Sequence, residues 1–521
     1  MSVDQTNTTP MEELSAEHRR RTEAALAMGG PAKLEKRRAE GLMNARERVD
    51  ALLDVGTFQE IGRFATSARP EHRHRSPADG KVTGFGQIDG REIAVVSNDF
   101  TVMGASSSSV NGRKIQQIKE TANTRGLPIV FFGESTGARM PDVMGVEIAQ
   151  AWNPAQYLRR RETPWVSAVL GHTYGSASWY TAMADFVVMR KGAIMAVSSP
   201  RLSALATSEN TDPEQLGGWQ MHAKTNGLVD VVVDSDEEAV EVIQRVLSYL
   251  PSHSLEAPPR AEHREDQEQE AARASTVSDL VPVRRNQGYD MRKVVANIVD
   301  EGSVQEFKAM YGRSLMTALA RIDGRVVGVI ANNPMFKGGA IDADACSKAT
   351  SFLVLCDSFN IPIVLLADQP GFLIGIEAEK KAMPGRVMNW MNALSLCTVP
   401  KIAIVARKTY GQAVLNMGLA GNAHEVCAWT TAEIGFMDPS HGVTIVHGLK
   451  PEDDPQKFQE LREEMAKDST PYEAASRMGV QVVIEPSETR QYLKRALDVH
   501  ELRLTNGVGQ GHLRAWPTTV F

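Results

Sequence analysis

Four short segments of this 521-residue chain place glycine beside small or polar residues directly after apolar runs. They are Ser135-Thr136-Gly137-Ala138, Tyr174-Gly175-Ser176-Ala177, Gln369-Pro370-Gly371-Phe372 and Tyr410-Gly411-Gln412-Ala413. If a helix follows such a turn, its first amides have no intrahelical acceptor. Those donors can bind an anion or stabilise the oxygen of a developing enolate. A glycine at such a place can also serve only a tight turn and close helix–sheet packing. Four related turns in one chain shift the balance toward chemistry.

Side chains suited to acid–base work are few around these turns. Glu134 and Asp368 end two of the apolar runs, where a carboxylate serves either as an acid–base group or as a cap for the next helix. His172, Tyr174 and Tyr410 adjoin the glycines, and each fits sheet-edge packing as well as proton transfer. No Ser-His-Asp order is found. Nor is there a G-x-x-x-x-G-K-[ST] phosphate loop. Backbone donors acting on groups delivered by two carriers are the chemistry that such a sequence suits.

The elements that must position the turns repeat along the chain. Ile88-Asp89-Gly90-Arg91 recurs as Ile322-Asp323-Gly324-Arg325, 234 positions later. At the same spacing Asn98 meets Asn332, Leu127-Pro128-Ile129-Val130 meets Ile361-Pro362-Ile363-Val364, and Gly137 meets Gly371. Thr173-Tyr174-Gly175 meets Thr409-Tyr410-Gly411 at a spacing of 236. Echoes held in register over so long a stretch mark a duplicated domain. Each copy reads strand, helix, strand: REIAVVSND and RVVGVIANN follow D-G turns, and LPIVFFGES and IPIVLLADQ are near-continuous apolar runs. Strands of that kind are buried on both faces, which implies parallel α/β sheets covered by helices.

The organisation expected is a helical N-terminal extension over 1–53, a first domain over 54–252, a linker over 253–285 and a second domain over 286–521. The linker is rich in charge, Gln, Ala and Pro. Residues 1–10 read as loose polar chain, and the rest of the extension as one or two surface helices. Hydrophobic residues make up 42% and charged residues 23%, which excludes wholesale disorder. The 57 Lys+Arg stand against 64 Asp+Glu, so no basic footprint for nucleic acid is expected. Cys346, Cys356, Cys397 and Cys427 form no C-x-x-C pair, which points to free buried thiols in a reducing cytoplasm rather than a metal site. No apolar run is long enough to span a membrane, and the start lacks the apolar core of a signal peptide.

Longer motifs resemble a known family. GLMNARERVDALLDVGTFQEIG (41–62), NGRKIQQI (111–118) and GESTGAR (133–139) are similar to the opening, H-G-x-K-I and D-S-G-G-A-R segments of the carboxyltransferase (β) subunits of biotin-dependent acyl-CoA carboxylases. GGAIDADACSKATSFLVLCDSFNIPIVLLADQPGFLIG (338–375) and RKTYGQAVLNMG (407–418) resemble the G-x-I-D, D-V-P-G-F and R-K-x-Y-G-G-A segments of the second half. The resemblance covers about residues 36–505 and implies two tandem crotonase-like ββα superhelix domains. It further implies a cytoplasmic homohexamer, with acyl-CoA on the first half and carboxybiotin on the second. Carboxybiotin would release CO2, the freed nitrogen would take the α-proton, and the enolate would capture CO2. Biotin carboxylase and the biotin carrier would be separate polypeptides, since the chain has no A-M-K-M biotin site.

Carried over by position, the resemblance assigns the thioester oxyanion hole to Thr136-Gly137 and the biotin oxyanion hole to Gln412-Ala413 after Gly411. It puts Gly175, Ser176, Gly371 and Phe372 at the substrate turns, Leu415 where acyl-chain size is tuned, and Lys114 and Arg139 on the CoA side. The chain departs from the family pattern where Thr136, Ser176 and Gln412 replace glycine and where Ala105 follows Gly104. A backbone donor survives such a change, but the added side chain narrows the approach. Biotin-independent decarboxylation or hydrolysis of a malonyl-type CoA ester, and a non-catalytic scaffold, are the other readings.

Overall fold

The structure is a computed structural model that describes residues 9–208, 211–262, 266–284 and 286–517. Of the polar start, residues 1–8 lie outside the described residues. The chain divides into two units, Met1–His222 with Val232–Arg245, and Ala223–Val231 with Val246–Phe521.

The first unit holds a sheet of eight strands in the order β1-β2-β3-β4-β5-β6-β8, with β7 pairing β5. These are β1 (Gln59–Glu60), β2 (Lys81–Ile88), β3 (Arg91–Asn98), β4 (Ile129–Thr136), β5 (Trp165–Tyr174), β6 (Phe186–Arg190), β7 (Ile194–Ala196) and β8 (Val231–Val233). The second unit repeats the plan as β16-β14-β13-β12-β11-β10-β9, with β15 pairing β13. Its strands are β9 (Gln305–Phe307), β10 (Leu315–Ile322), β11 (Arg325–Asn332), β12 (Ile363–Gln369), β13 (Lys401–Tyr410), β14 (Glu425–Trp429), β15 (Glu433–Gly435) and β16 (Val482–Ile484). β2–β3 and β10–β11 are antiparallel hairpins, whereas β3–β4–β5–β6 and β11–β12–β13–β14–β16 run parallel.

Local chemistry explains the repeat. Each hairpin turns through a D-G pair with positive φ at both residues, 50° and 75° in one and 54° and 72° in the other. Asp54 accepts from the amides of Asp89 and Gly90, and Asp300 does the same for Asp323 and Gly324. The helix after β3 in the first unit runs Ser109–Arg125 and starts with a reciprocal Ser108–Asn111 cap. Its counterpart, Ala343–Ser358, is capped by Asp342 at the equivalent position. Ile115, Ile118 and Ala122 of the first helix bury against Phe131 and Trp165. In the second unit Val294 and Ile298 meet Val329, Ile404 and Trp429.

The β4–β5 register shifts between Gly133 and Ser135, and the β12–β13 register between Ala367 and Gln369. These irregularities stand 234 positions apart, and a bulge bends a strand while adding twist. Past the bend β5 leaves β6 and pairs β7, and β13 leaves β14 and pairs β15. The strand ends thereby turn out of the main sheet, just before Gly175 and Gly411.

The N-terminal extension forms α1 (Pro10–Leu26), α2 (Pro31–Ala39) and α3 (Ala45–Leu52), one helix more than its periodicity suggested. Arg37 of α2 and Arg48 of α3 are buried, so these helices do more than pad the surface. Within the stretch read as a linker, Gln267–Leu280 is helical, and Val277 and Val281 enter the core of the second unit.

Candidate active site

In the first unit the ends of β4 and β5 lie side by side, with Thr136 opposite Tyr174. The next residues, Gly137 and Gly175, take φ of +101° and +62°. A Cβ on Gly175 would stand 3.4 Å from the Gly137 Cα, so the two turns touch. Ser107 fastens them. Its amide donates to the Gly137 carbonyl at 2.8 Å, its carbonyl accepts from Arg139 at 2.8 Å, and its Oγ lies 2.8 Å from Ser176 Oγ.

The expected oxyanion pair divides. Thr136 is the last residue of β4, and Gly137 N–H already donates to Ser135 Oγ at 3.0 Å. The available amides belong to Ser176 and Ala177, at the start of the helix Ser176–Ala182, for which no acceptor is found among the described residues. The Thr136 methyl and hydroxyl fill the space beside Gly104, where a Cβ would clash with them.

Lys114 and Arg139, expected on the CoA side, are spent inside the protein. Lys114 Nζ donates to the carbonyls of Ala78 (2.8 Å) and Lys81 (2.5 Å), and burial pulls its ammonium down to about 8. Arg139 is buried, paired with Asp79, and donates to the Ser106 carbonyl at 3.1 Å. Both residues hold the 78–81 and 104–107 loops in place, which positions the turn. Lys348 repeats the role of Lys114, with Leu315 for Lys81: its Nζ donates to the carbonyls of Lys308, Tyr311 and Leu315.

The second unit builds the same turns. The Gly371 carbonyl accepts from Ile341 at 3.1 Å, and Leu373 donates to Ile341 at 2.8 Å, so Phe372 bridges Ile341 as Ala138 bridges Ser107. Gly371 has φ of +124°. Gln369 ties the ends of β12 and β13, donating to Thr409 Oγ1 at 2.9 Å and the Tyr410 carbonyl at 3.3 Å. Gly411–Val414 is a single helical turn, with φ of +65° at Gly411 and Ala413 fully buried. Gln412 is exposed and its side chain has no hydrogen-bond partner among the described residues. Leu415 follows, half-buried, its amide on the Gln412 carbonyl at 3.1 Å.

Glu134 and Asp368 are neither caps nor acids. Glu134 accepts from Arg48 at 2.7 Å and from Arg37 at 3.2 Å, and Arg48 also binds Asp236 at 3.0 Å. Burial works to raise the Glu134 carboxyl, but the two guanidinium groups hold it below the usual carboxylate range. Asp368 accepts from Arg407 at 3.0 Å, Lys408 at 2.8 Å and the Tyr289 hydroxyl at 2.8 Å. Each carboxylate is thus an ionic anchor directly behind a turn. His172 and Tyr174 bond each other at 3.0 Å, and the Tyr410 hydroxyl donates to Glu433 at 2.7 Å. The anchors' partners in α2 and α3, and Ser107, were not singled out in the sequence. The equal spacing of Glu134 and Asp368 was the available signal. Among the described residues no cluster of His, Cys, Asp or Glu is placed to hold a metal, and no helix is long and apolar enough to cross a membrane.

Residues 36–506 match the model of the carboxyl transferase domain. The chain belongs to the carboxyl transferase domain family. It is 35% identical over 501 residues to the propionyl-CoA carboxylase carboxyltransferase subunit of Haloferax mediterranei, covering 93% of this chain and 95% of the relative. It is 34% identical over 494 residues to the methylmalonyl-CoA decarboxylase subunit alpha of Veillonella parvula, covering 93% and 95%. The crystal structure of transcarboxylase 12S, a hexamer with methylmalonyl-coenzyme A and methylmalonic acid bound, superposes with a TM-score of 0.88 at 33% identity, over 95% of this chain and 97% of the other. The protein is therefore an enzyme of this family, and its two units have the crotonase-like fold.

Proposed function

We propose that this chain transfers a carboxyl group from carboxybiotin, carried on a separate protein, to the α-carbon of an acyl-CoA. The observation that carries the reading is the same backbone turn built twice, each braced by a buried ionic anchor and each facing outward with amides rather than acid–base side chains.

In the first unit the thioester oxygen would accept from the amides of Ser176 and Ala177. As the α-proton leaves, charge moves from carbon to that oxygen, where fixed donors need no reorganisation. Ser107 holds the Ser176 turn against Gly137, and Glu134 holds the end of β4 through α2 and α3. In the second unit the amides of Gln412 and Ala413 are a donor set that suits a ureido carbonyl oxygen. The Gln412 side chain, without an internal partner, is free to move aside. Bound biotin would supply the carboxyl group and a basic nitrogen. Leu415 would border the acyl chain, and the assembly would be a hexamer, as in transcarboxylase 12S.

Gln412 also favours a second reading, loss of CO2 from a malonyl-type CoA ester without biotin, because its side chain stands at the turn meant for biotin. Decarboxylation of malonyl-CoA and methylmalonyl-CoA, followed with and without free biotin, separates the two. Stimulation by biotin supports carboxyl transfer, and turnover indifferent to biotin supports the second reading.

A further inference from the structure

The two turns share a backbone but not their side chains. In the first unit Ser107 Oγ and Ser176 Oγ meet at 2.8 Å. The residues 234 and 236 positions further on are Ile341 and Gln412, so the second turn is built without a hydroxyl pair. Bracing alone therefore does not account for the two serines.

A third hydroxyl closes on them. The Tyr157 side chain is half-buried, and its hydroxyl lies against both Ser176 and Tyr180. Its ring is wedged between Trp179, edge-on at 5.4 Å, and Tyr180 at 5.1 Å. Tyr180 gives its own hydrogen to Gln156 at 2.8 Å. Burial lifts the Tyr157 phenol above its ordinary value, so it stays protonated at neutral pH. Ser107 and Tyr157 can both donate to Ser176 Oγ, which leaves the Ser176 hydrogen available to a ligand. Ser176 bears both this hydroxyl and the amide assigned above to the thioester oxygen. An enolate oxygen on that amide sets its α-carbon two bonds away, in range of the hydroxyl on the same residue.

We propose that Tyr157, Ser176 and Ser107 form a proton relay that completes decarboxylation of a malonyl-type CoA ester when biotin is absent. The bond between the α-carbon and the carboxylate breaks, CO2 leaves, and the electron pair of that bond enters the enolate. Ser176 Oγ–H then gives its proton to the α-carbon, forming the new C–H bond. Tyr157 passes its proton to Ser176, and a proton from solvent restores Tyr157. Ser107 is a positioning residue that holds Ser176 Oγ. The α-carbon of a thioester enolate is a stronger base than an alkoxide, so the transfer runs downhill. An enolate left without a proton recaptures the CO2 beside it, so net turnover depends on the relay. When biotin is bound, its nitrogen takes the carboxyl group and gives up the proton, and the relay is bypassed. The relay rests on the acyl-CoA reading above, because the Ser176 amide must hold the enolate.

The test follows decarboxylation of methylmalonyl-CoA by the full-length protein with and without free biotin. Wild type should show a slow biotin-free rate beneath the biotin-stimulated one. Tyr157→Phe keeps the ring and should lower the biotin-free rate about tenfold or more, with the biotin-stimulated rate unchanged. Ser176→Gly should lower the biotin-free rate about a hundredfold. Ser176→Thr keeps a hydroxyl and should restore most of it. Circular dichroism checks that each variant folds. A biotin-free rate equal to wild type in Tyr157→Phe and Ser176→Gly overturns the relay. Equal loss of both rates in Tyr157→Phe would show a bracing role and overturns it too. A wild type that turns over only with biotin overturns the relay and leaves carboxyl transfer standing. A wild-type rate indifferent to biotin but lost in both variants would refute carboxyl transfer and support the relay. No turnover by wild type under either condition would refute the acyl-CoA reading and the relay with it.

Discussion

Ser176→Pro tests the oxyanion assignment with little disturbance to the fold. Ser176 is the first residue of its helix, where proline is well tolerated because that N–H has no intrahelical acceptor. Its neighbour Gly175 has φ 62° and ψ −135°, the mirror image of an extended conformation, which glycine adopts freely. The substitution removes one amide donor and also the hydroxyl that meets Ser107 at 2.8 Å. Loss of the hydroxyl contact costs about 1 kcal/mol of stability. Loss of an oxyanion donor costs about 10²–10³-fold in rate. Ser176→Gly is the matched control, since it removes the same hydroxyl and keeps the amide. The assay is biotin-stimulated decarboxylation of methylmalonyl-CoA, followed as steady-state kcat, with Tm recorded for each variant. The expected outcome is near-normal kcat in Ser176→Gly and a loss of about a hundredfold or more in Ser176→Pro at similar Tm. Equal activity in the two variants would refute the assignment of the Ser176 amide.

Glu134→Ala leaves Arg37 with only the Met43 carbonyl and Arg48 with only Asp236, so urea unfolding at neutral pH should show a loss of about 3–5 kcal/mol. Because the folded Glu134 carboxyl titrates below its unfolded value, its contribution is complete above about pH 4.3 and disappears as the pH falls through the folded value. Wild type and variant should therefore converge only in acid, and a gap unchanged at low pH would contradict the ionic anchor. Leu415→Ala should raise kcat/KM for acyl chains one or two methylenes longer by about tenfold or more, measured over a CoA-ester series. Gln412→Gly, which clears the second turn, should lower the KM for free biotin with little change in the KM for the CoA ester.

Much of the fold was legible because its signals are local. D-G turns, apolar runs and glycine ends recur in register, and each predicts one element. The repeat even foretold what no motif states, since the bulges after Gly133 and Ala367 and the Ser107–Ala138 and Ile341–Phe372 bridges keep the same spacing. What stayed hidden depends on long-range contact. Arg37 and Arg48 sit in charged, helix-forming stretches that look like surface, and only folding carries them 97 and 86 positions forward to Glu134. The internal partners of Lys114 and Arg139 were hidden for the same reason: a cation near a turn reads as facing a ligand, and its carbonyl and carboxylate partners lie on segments distant in the sequence. That the Gly137 amide is occupied depends on one side chain, Ser135, to which it donates.

The claim that the two turns serve carboxyl transfer is tested most directly by following the carboxyl group itself. Methylmalonyl-CoA labelled with 13C in its free carboxyl group would be incubated with the protein and excess biotin, and the label located by NMR. The account predicts label on biotin, formed together with unlabelled propionyl-CoA, and loss of that signal in Ser176→Pro. Label released only as CO2 and bicarbonate, at a rate indifferent to biotin, would contradict it.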